Sequence, residues 1–172
     1  MSGAETVIHA LQQTLIQSPN FDSISADAIK AFYNLNRDLA LKKLKEKCPV
    51  VFDMISDKYN GSSNIFFNGL VEGVIKMEQV EGGSPGTPEM SFLYELGISD
   101  FVSNVADLLR HTSSGNFNQE GSIVGYIDDL YWAAPFEKMV QVIALVQDNG
   151  ADFGYRLNLK KSLHLMAPSP NA

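Results

Sequence analysis

Asp128 and Asp129 stand side by side inside an apolar run that extends from Ile123 to Trp132. Two adjacent carboxylates are costly in such surroundings unless something cationic holds them, because like charges this close resist ionising together. Ile123, Val124 and Tyr126 on one side and Leu130, Tyr131 and Trp132 on the other read as two short strands with the acids at the bend. A hairpin tip with two acids suits a hard divalent cation such as Mg²⁺, which takes carboxylate oxygens. A plain surface turn is the alternative, since Asp is a common turn residue.

Other parts of the chain bear on that choice. Asp27, Ala28, Ala31 and Phe32 follow a short strand-like stretch, Glu81, Gly82, Gly86 and Pro88 form a glycine-rich loop, and Gly154, Tyr155, Leu157, Asn158 and Lys161 close the series. In this order, and together with the aromatic-x-Asp-Asp cluster Tyr126–Asp129, these segments resemble the successive palm motifs of reverse transcriptases, most closely those of retroelements. The resemblance implies an α+β polymerase palm, a small antiparallel sheet with helices packed on one face. It implies an RNA-directed DNA polymerase that works on an RNA template, a DNA primer and deoxynucleotides.

The same resemblance assigns residues. Asp27, Asp128 and Asp129 would hold two Mg²⁺ (or Mn²⁺) ions, with the Ala28 carbonyl as a further ligand. In phosphoryl transfer a metal pair roughly 4 Å apart stabilises both the attacking and the leaving oxygen. Lys161 corresponds to a lysine that protonates the leaving pyrophosphate, a solvent-exposed structural lysine being the simpler alternative. Phe32, Gly86 and Tyr126 fall at nucleotide-binding positions. Phe32 stands where an aromatic ring excludes a ribose 2′-hydroxyl, and a core Phe beside a helix start is the equal alternative. The chain departs from the pattern at Pro85, which occupies the place of a nucleotide-contacting Gln and offers neither a side-chain amide nor a backbone N–H. Thr87 replaces a common Asp, and Ile29, Lys30 and Tyr33 stand where Lys, Asn and Asn are frequent.

At 172 residues and 45% hydrophobic, the chain is expected to form one domain, residues 1–172, with fingers and thumb largely absent. That points to a fragment of a longer retroelement protein, or to a non-catalytic palm that acts as a binding module. A formal charge of -7 opposes unaided nucleic-acid binding, which rests on Lys and Arg neutralising phosphates. Arg37, Lys42, Lys43, Lys45 and Lys47 form a local basic cluster, read as the solvated face of a helix with its cations toward the C-terminus. Cys48 stands alone, which excludes a disulfide framework. No apolar stretch is long enough for a membrane span and Met1 to Gln13 lack a signal-peptide pattern, so an intracellular, cytoplasmic or nuclear, location is expected. Asn60, Gly61 and Ser62 then mark only a turn. His9, His111 and His164 have no metal-ligand spacing.

The positioning elements follow from periodicity. Val7, Ile8, Leu11, Leu15 and Ile16 predict a helix ended by Ser18, Pro19 and Asn20, and a strand should follow to Asp27. Asn34 or Asn36 caps a second helix and Pro49 opens a third. Residues 65–70 and 71–80 read as a hairpin leading into the glycine loop. Phe92, Leu93, Leu96, Phe101, Val105 and Leu108 form the apolar face of a long helix. A loose segment, residues 111–119, precedes the acidic hairpin, then Phe136, Met139, Val140, Ile143 and Val146 form a helix. Residues 155–159 and 163–166 read as final strands. The three acids would share the sheet face that carries no helices.

Overall fold

The longest element, α4 (Pro88–Arg110), organises the rest. Met90, Leu93, Tyr94, Gly97, Phe101, Val105 and Leu109 recur every three or four residues and are all buried, so one continuous stripe of the helix faces the core. Gly97 lets α2 (Arg37–Lys47) lie close: a Cβ there would strike Leu35 and approach Ala40. These coordinates come from a computed structural model, which describes residues 3–68, 74–110 and 121–167.

Against one face of α4 and of α5 (Phe136–Asn149) lies a four-stranded antiparallel sheet of β1 (Asp22–Ala26), β4 (Ser122–Tyr126), β5 (Asp129–Ala134) and β6 (Leu163–Leu165). Its order is β4-β5-β1-β6. The register Ile24 with Trp132 and Ala26 with Leu130 places these four apolar side chains on the same face, where they join Phe101, Met139, Val142 and Tyr155 in the core. Burying each large side chain stabilises by about 1.5–3 kcal/mol. The fold is thus α+β, as the sequence predicts. A separate hairpin, β2 (Ser63–Asn68) and β3 (Val74–Gln79), matches the expected one; its connection, 69–73, and the expected loose segment, 111–119, lie outside the described residues.

Local chemistry explains the boundaries. Asn36, and not Asn34, caps α2, its Oδ1 accepting the Leu39 N–H at 3.0 Å. Pro49 opens α3 (Pro49–Tyr59). The first helix, α1 (Gly3–Gln17), buries no residue completely. It rests on the sheet face opposite α4 and α5, with the Thr14 and Ser122 hydroxyls 3.4 Å apart and Gly3 against the ring of Tyr126, so the face expected to carry no helices is partly covered. The expected strand at 155–159 does not form. A 3-10 turn (Gly150–Phe153) ends in left-handed Gly154, the chain makes one bridge, Ala28 with Leu157, and turns again as Asn158 O accepts from Lys161 and Ser162. Among the described residues no helix is long and apolar enough to cross a membrane.

Candidate active site

Tyr126 pairs with Asp129, so β4 and β5 are joined by a turn whose two central residues are Ile127 and Asp128. Tight hairpin turns of this length demand positive φ, which glycine or asparagine supplies at little cost. Here Ile127 adopts φ 58. For a β-branched side chain that conformation costs about 1–2 kcal/mol. Its side chain lines a hollow of about 290 Å³ with Glu95, Ile98 and Val102 of α4, and that packing helps to hold the strained turn. Asp128 and Asp129 are thereby presented at the end of the hairpin.

Asp27 arrives from the neighbouring strand. Ala26 is paired with Leu130, and the same register carried one step further sets Asp27 opposite Asp129. Alternation puts both on the face away from α4 and α5. The segment after Gly154 fixes Asp27: its Oδ2 accepts from Asn158 Nδ2 at 2.8 Å, its carbonyl accepts the Asn158 N–H at 2.8 Å, and its own N–H donates to Ser162 Oγ at 3.1 Å. The bridge at Ala28 is closed by the Ile29 N–H to Arg156 O and by Asp27 O, which leaves the Ala28 carbonyl out of both bonds.

The acids feel one another. Burial raises the Asp129 carboxyl above its ordinary pKa, and the charges of Asp128 and then Asp27 raise it further. Burial likewise pushes up Tyr94 and Tyr155, which lie beneath the acids and sense their charge. The Tyr94 hydroxyl has no hydrogen-bond partner. All-oxygen donors suit Mg²⁺, and the excess negative charge on Asp129 is what a cation would relieve. The donor atoms are of the type that a divalent metal takes. The set is not a closed cage: among the described residues no three Asp, Glu, His or Cys side chains are grouped to hold an ion.

The remaining sequence-derived residues take varied places. Phe32 is half-buried, edge-on to Tyr94 with ring centres 5.6 Å apart. It thus serves the core, near Asp128's electrostatic neighbour. Tyr126 is half-exposed beside α1. Gly86 needs its φ of 93 but has open space around it. Gly82 is different, since its Cβ would collide with the Phe32 and Tyr33 carbonyls, and its N–H donates to Leu35 O at 2.9 Å. Lys161 is exposed in the turn next to Ser162. The reading of Arg37 as part of a solvated basic face is overturned: it is only 5% exposed and donates to Gly82 O, Gly61 O and Ser63 Oγ. Lys42, Lys45 and Lys47 are exposed as expected, whereas Lys43 is mostly buried and paired with Asp100 of α4 at 2.6 Å. His164 pairs with buried Asp22 at 2.8 Å, away from the acidic cluster, His9 lies on α1, and His111 is outside the described residues.

Sequence reasoning missed Asn158 and Ser162 as the groups that hold Asp27. Asn158 stands out as a motif residue, but only the three-dimensional bridge shows what its amide does. Ser162 carries no signal at all in the sequence.

Solved structures share this fold. Telomerase from Candida tropicalis in complex with a TWJ fragment of telomeric RNA superposes with a TM-score of 0.69 at 12% identity, covering 97% of this chain and 30% of its own. The corresponding complex from Candida albicans gives 0.59 at 13% identity, covering 96% and 30%. Apo telomerase from Candida tropicalis gives 0.61 at 11% identity, covering 97% and 33%. The chain thus shares the fold of a part of these telomerase chains. At such identities the likeness concerns the fold alone, and the chain spans about a third of the telomerase chains that it matches. No protein-family model matches the sequence, and no curated protein matches it.

Proposed function

We propose that this chain is the palm of an RNA-directed DNA polymerase of retroelement type, forming part of a larger machine inside the cell. The observation that carries this reading is the strand register that sets Asp27 opposite Asp129, with Asp128 in the adjoining turn. Asp27 comes from a distant part of the sequence to face Asp129 across paired strands, and the charges of Asp128 and Asp27 add to the desolvation that raises Asp129. Asp27, Asp128, Asp129 and the Ala28 carbonyl would hold two Mg²⁺ or Mn²⁺ ions, which when bound supply charge neutralisation for phosphoryl transfer. Asn158 and Ser162 act as positioning residues, holding Asp27 in register with Asp129.

Primer, template and deoxynucleotide would approach over β1 and β6. On that half of the face α1 leaves Leu163 and Leu165 exposed, whereas it covers the β4 side. Lys161, exposed in the turn beside the residue that bonds Asp27, would protonate a leaving pyrophosphate. Phe32 shapes the sugar-binding side through its contact with Tyr94. RNA is the proposed template on the strength of the fold shared with telomerases solved with RNA.

The test is primer extension on an RNA template with Mn²⁺ and deoxynucleotides, using the chain fused to basic template- and primer-gripping domains, with and without Pro85→Gln. Extension that Asp128→Asn abolishes is expected, because near-attack geometry needs both the grip and the metal acids. A folded fusion that binds primer-template yet never extends it would overturn the catalytic reading in favour of a binding module.

A further inference from the structure

Arg37 is the buried charge that the acidic site does not use. Its guanidinium donates through Nε to Gly82 O, through Nη1 to Gly61 O at 2.6 Å and through Nη2 to Ser63 Oγ at 3.3 Å. All three acceptors are neutral. Of the five N–H groups on a guanidinium, two remain for another acceptor. Arg37 also lies over the Tyr59 ring, 5.7 Å from its centre, a contact that favours the cation without neutralising it. Burial opposes the charged form, but arginine does not discharge. In a chain of net charge -7, a buried cation bonded to no carboxylate among the described residues is unexpected.

It opens onto a cavity. A space of about 440 Å³ lies between the β2–β3 hairpin, the end of α3 and the glycine loop, lined by Arg37, Lys58, Tyr59, Ser63, Ser84 and Thr87 among others, with no acidic residue in the wall. Lys58 is paired with Glu89, whose carboxylate also accepts from the Tyr59 hydroxyl at 3.3 Å, so of the two cations in the wall Arg37 is the one not paired with a described carboxylate. Ser63 accepts from Arg37, leaving its hydroxyl hydrogen to donate inward. A planar guanidinium with spare N–H groups, a serine hydroxyl and a nearby ammonium is the donor set that recognises a tetrahedral oxyanion.

We propose that this cavity is a phosphate-binding site. The glycine loop that forms one wall, through Gly83, Ser84 and Thr87, is the loop that also packs on the Phe32 turn through the Gly83 N–H to Phe32 O. A phosphate held here would therefore belong to the polymerase's own substrates, either a backbone phosphate of the bound strand or the phosphates of a free nucleotide. This assignment of source rests on the polymerase reading. The site itself shares no residue with the aspartates and can stand or fall without them.

The experiment follows the arginine Nε–H resonances of the ¹⁵N-labelled 172-residue chain, which holds only Arg37, Arg110 and Arg156. Inorganic phosphate, a deoxynucleoside triphosphate and a short single-stranded RNA are added separately, without divalent metal and at constant ionic strength. A saturable shift of the Arg37 signal is expected, reached at a lower concentration with whichever of the triphosphate and RNA is the natural source. Lys58→Met should weaken that binding about tenfold and Ser63→Ala several-fold, with both variants retaining the Arg37 resonance position of the folded, unliganded chain. The same titrations on Asp128→Asn should be unchanged, which separates this site from the metal site. An Arg37 signal that does not respond to any of the three, or that responds equally to chloride, would overturn the proposal and leave Arg37 as a clamp between Gly61 and Gly82. Binding that Lys58→Met and Ser63→Ala leave intact would overturn it as well.

Discussion

Asp129→Asn should stabilise the chain without metal and remove its response to Mg²⁺. The native carboxyl titrates above its ordinary value, because burial and the charges of Asp128 and Asp27 disfavour ionisation. Between the unfolded and native pKa the native state therefore binds more protons, so stability falls as pH rises through the native value. The penalty is absent below the unfolded pKa and complete at neutral pH. Asp129 is exposed, so water screens most of the interaction and about 0.5 kcal/mol is the reasonable size. For a chain of this length that raises Tm by about 1–2 °C. Mg²⁺ at ten times its Kd would add about 1.4 kcal/mol to the wild type by mass action, or about 3–6 °C. Thermal unfolding followed by circular dichroism, at pH 7 and near pH 3, with EDTA and with Mg²⁺, measures all of these. The asparagine variant should gain at pH 7 with EDTA, lose that gain near pH 3, and show little metal shift. A variant that is less stable than wild type in EDTA, or that answers Mg²⁺ equally, would refute the argument that these acids form one repelling, cation-seeking set.

Other perturbations test the scaffold. Gly82→Ala forces a side chain into positive φ and against the Phe32 and Tyr33 carbonyls, and should cost about 2–4 kcal/mol in urea unfolding. Arg37→Met leaves Gly82 O and Gly61 O without their donor and should cost about 2–4 kcal/mol by the same measurement, at roughly 1–3 kcal/mol for each unsatisfied group. Ile127→Gly relieves about 1–2 kcal/mol of turn strain while losing half-buried apolar surface and chain stiffness, so it should fall within about 1 kcal/mol of wild type. Ile123→Gly, in the extended part of the same hairpin, has no strain to relieve and should cost more than about 2 kcal/mol.

Much of the fold is legible because its signals are local. The apolar stripe of α4, the proline that opens α3 and the Asn36 cap each act within one or two turns of chain, and each is where the sequence predicts it. The failure at 155–159 has the opposite cause. Alternating Tyr155, Leu157 and Leu159 suggest a strand, but a ladder needs a partner edge, and β1 offers this segment only the bridge at Ala28 before β6 takes over its pairing at Ser25. The placement of α1 is likewise a tertiary matter. Its half-buried stripe of Val7, Leu11 and Leu15 announces an amphipathic helix without saying which face of the sheet it covers.

The hairpin bend at Asp128 and Asp129 was legible for a different reason, namely that two carboxylates inside an apolar run are costly away from a turn. What holds Asp27 was not legible, because Asn158 and Ser162 are ordinary turn residues until the bridge to Ala28 brings them against it. Arg37 shows the limit most clearly. A helix with Arg37, Lys42, Lys43, Lys45 and Lys47 has the composition of a solvated face, and the exposed Lys42, Lys45 and Lys47 fit that description. Yet Arg37 sits at the first position of α2, where the incoming chain passes Gly61 and Gly82, and their carbonyls draw the guanidinium inward. Charge pattern reports which residues are cationic; whether a cation meets water or carbonyls depends on contacts 24 and 45 positions away. The chain's two functional candidates are therefore unequal in kind. The aspartates are marked by an electrostatic conflict visible in one dimension, and the arginine cavity by a charge left unbalanced only once the chain has folded.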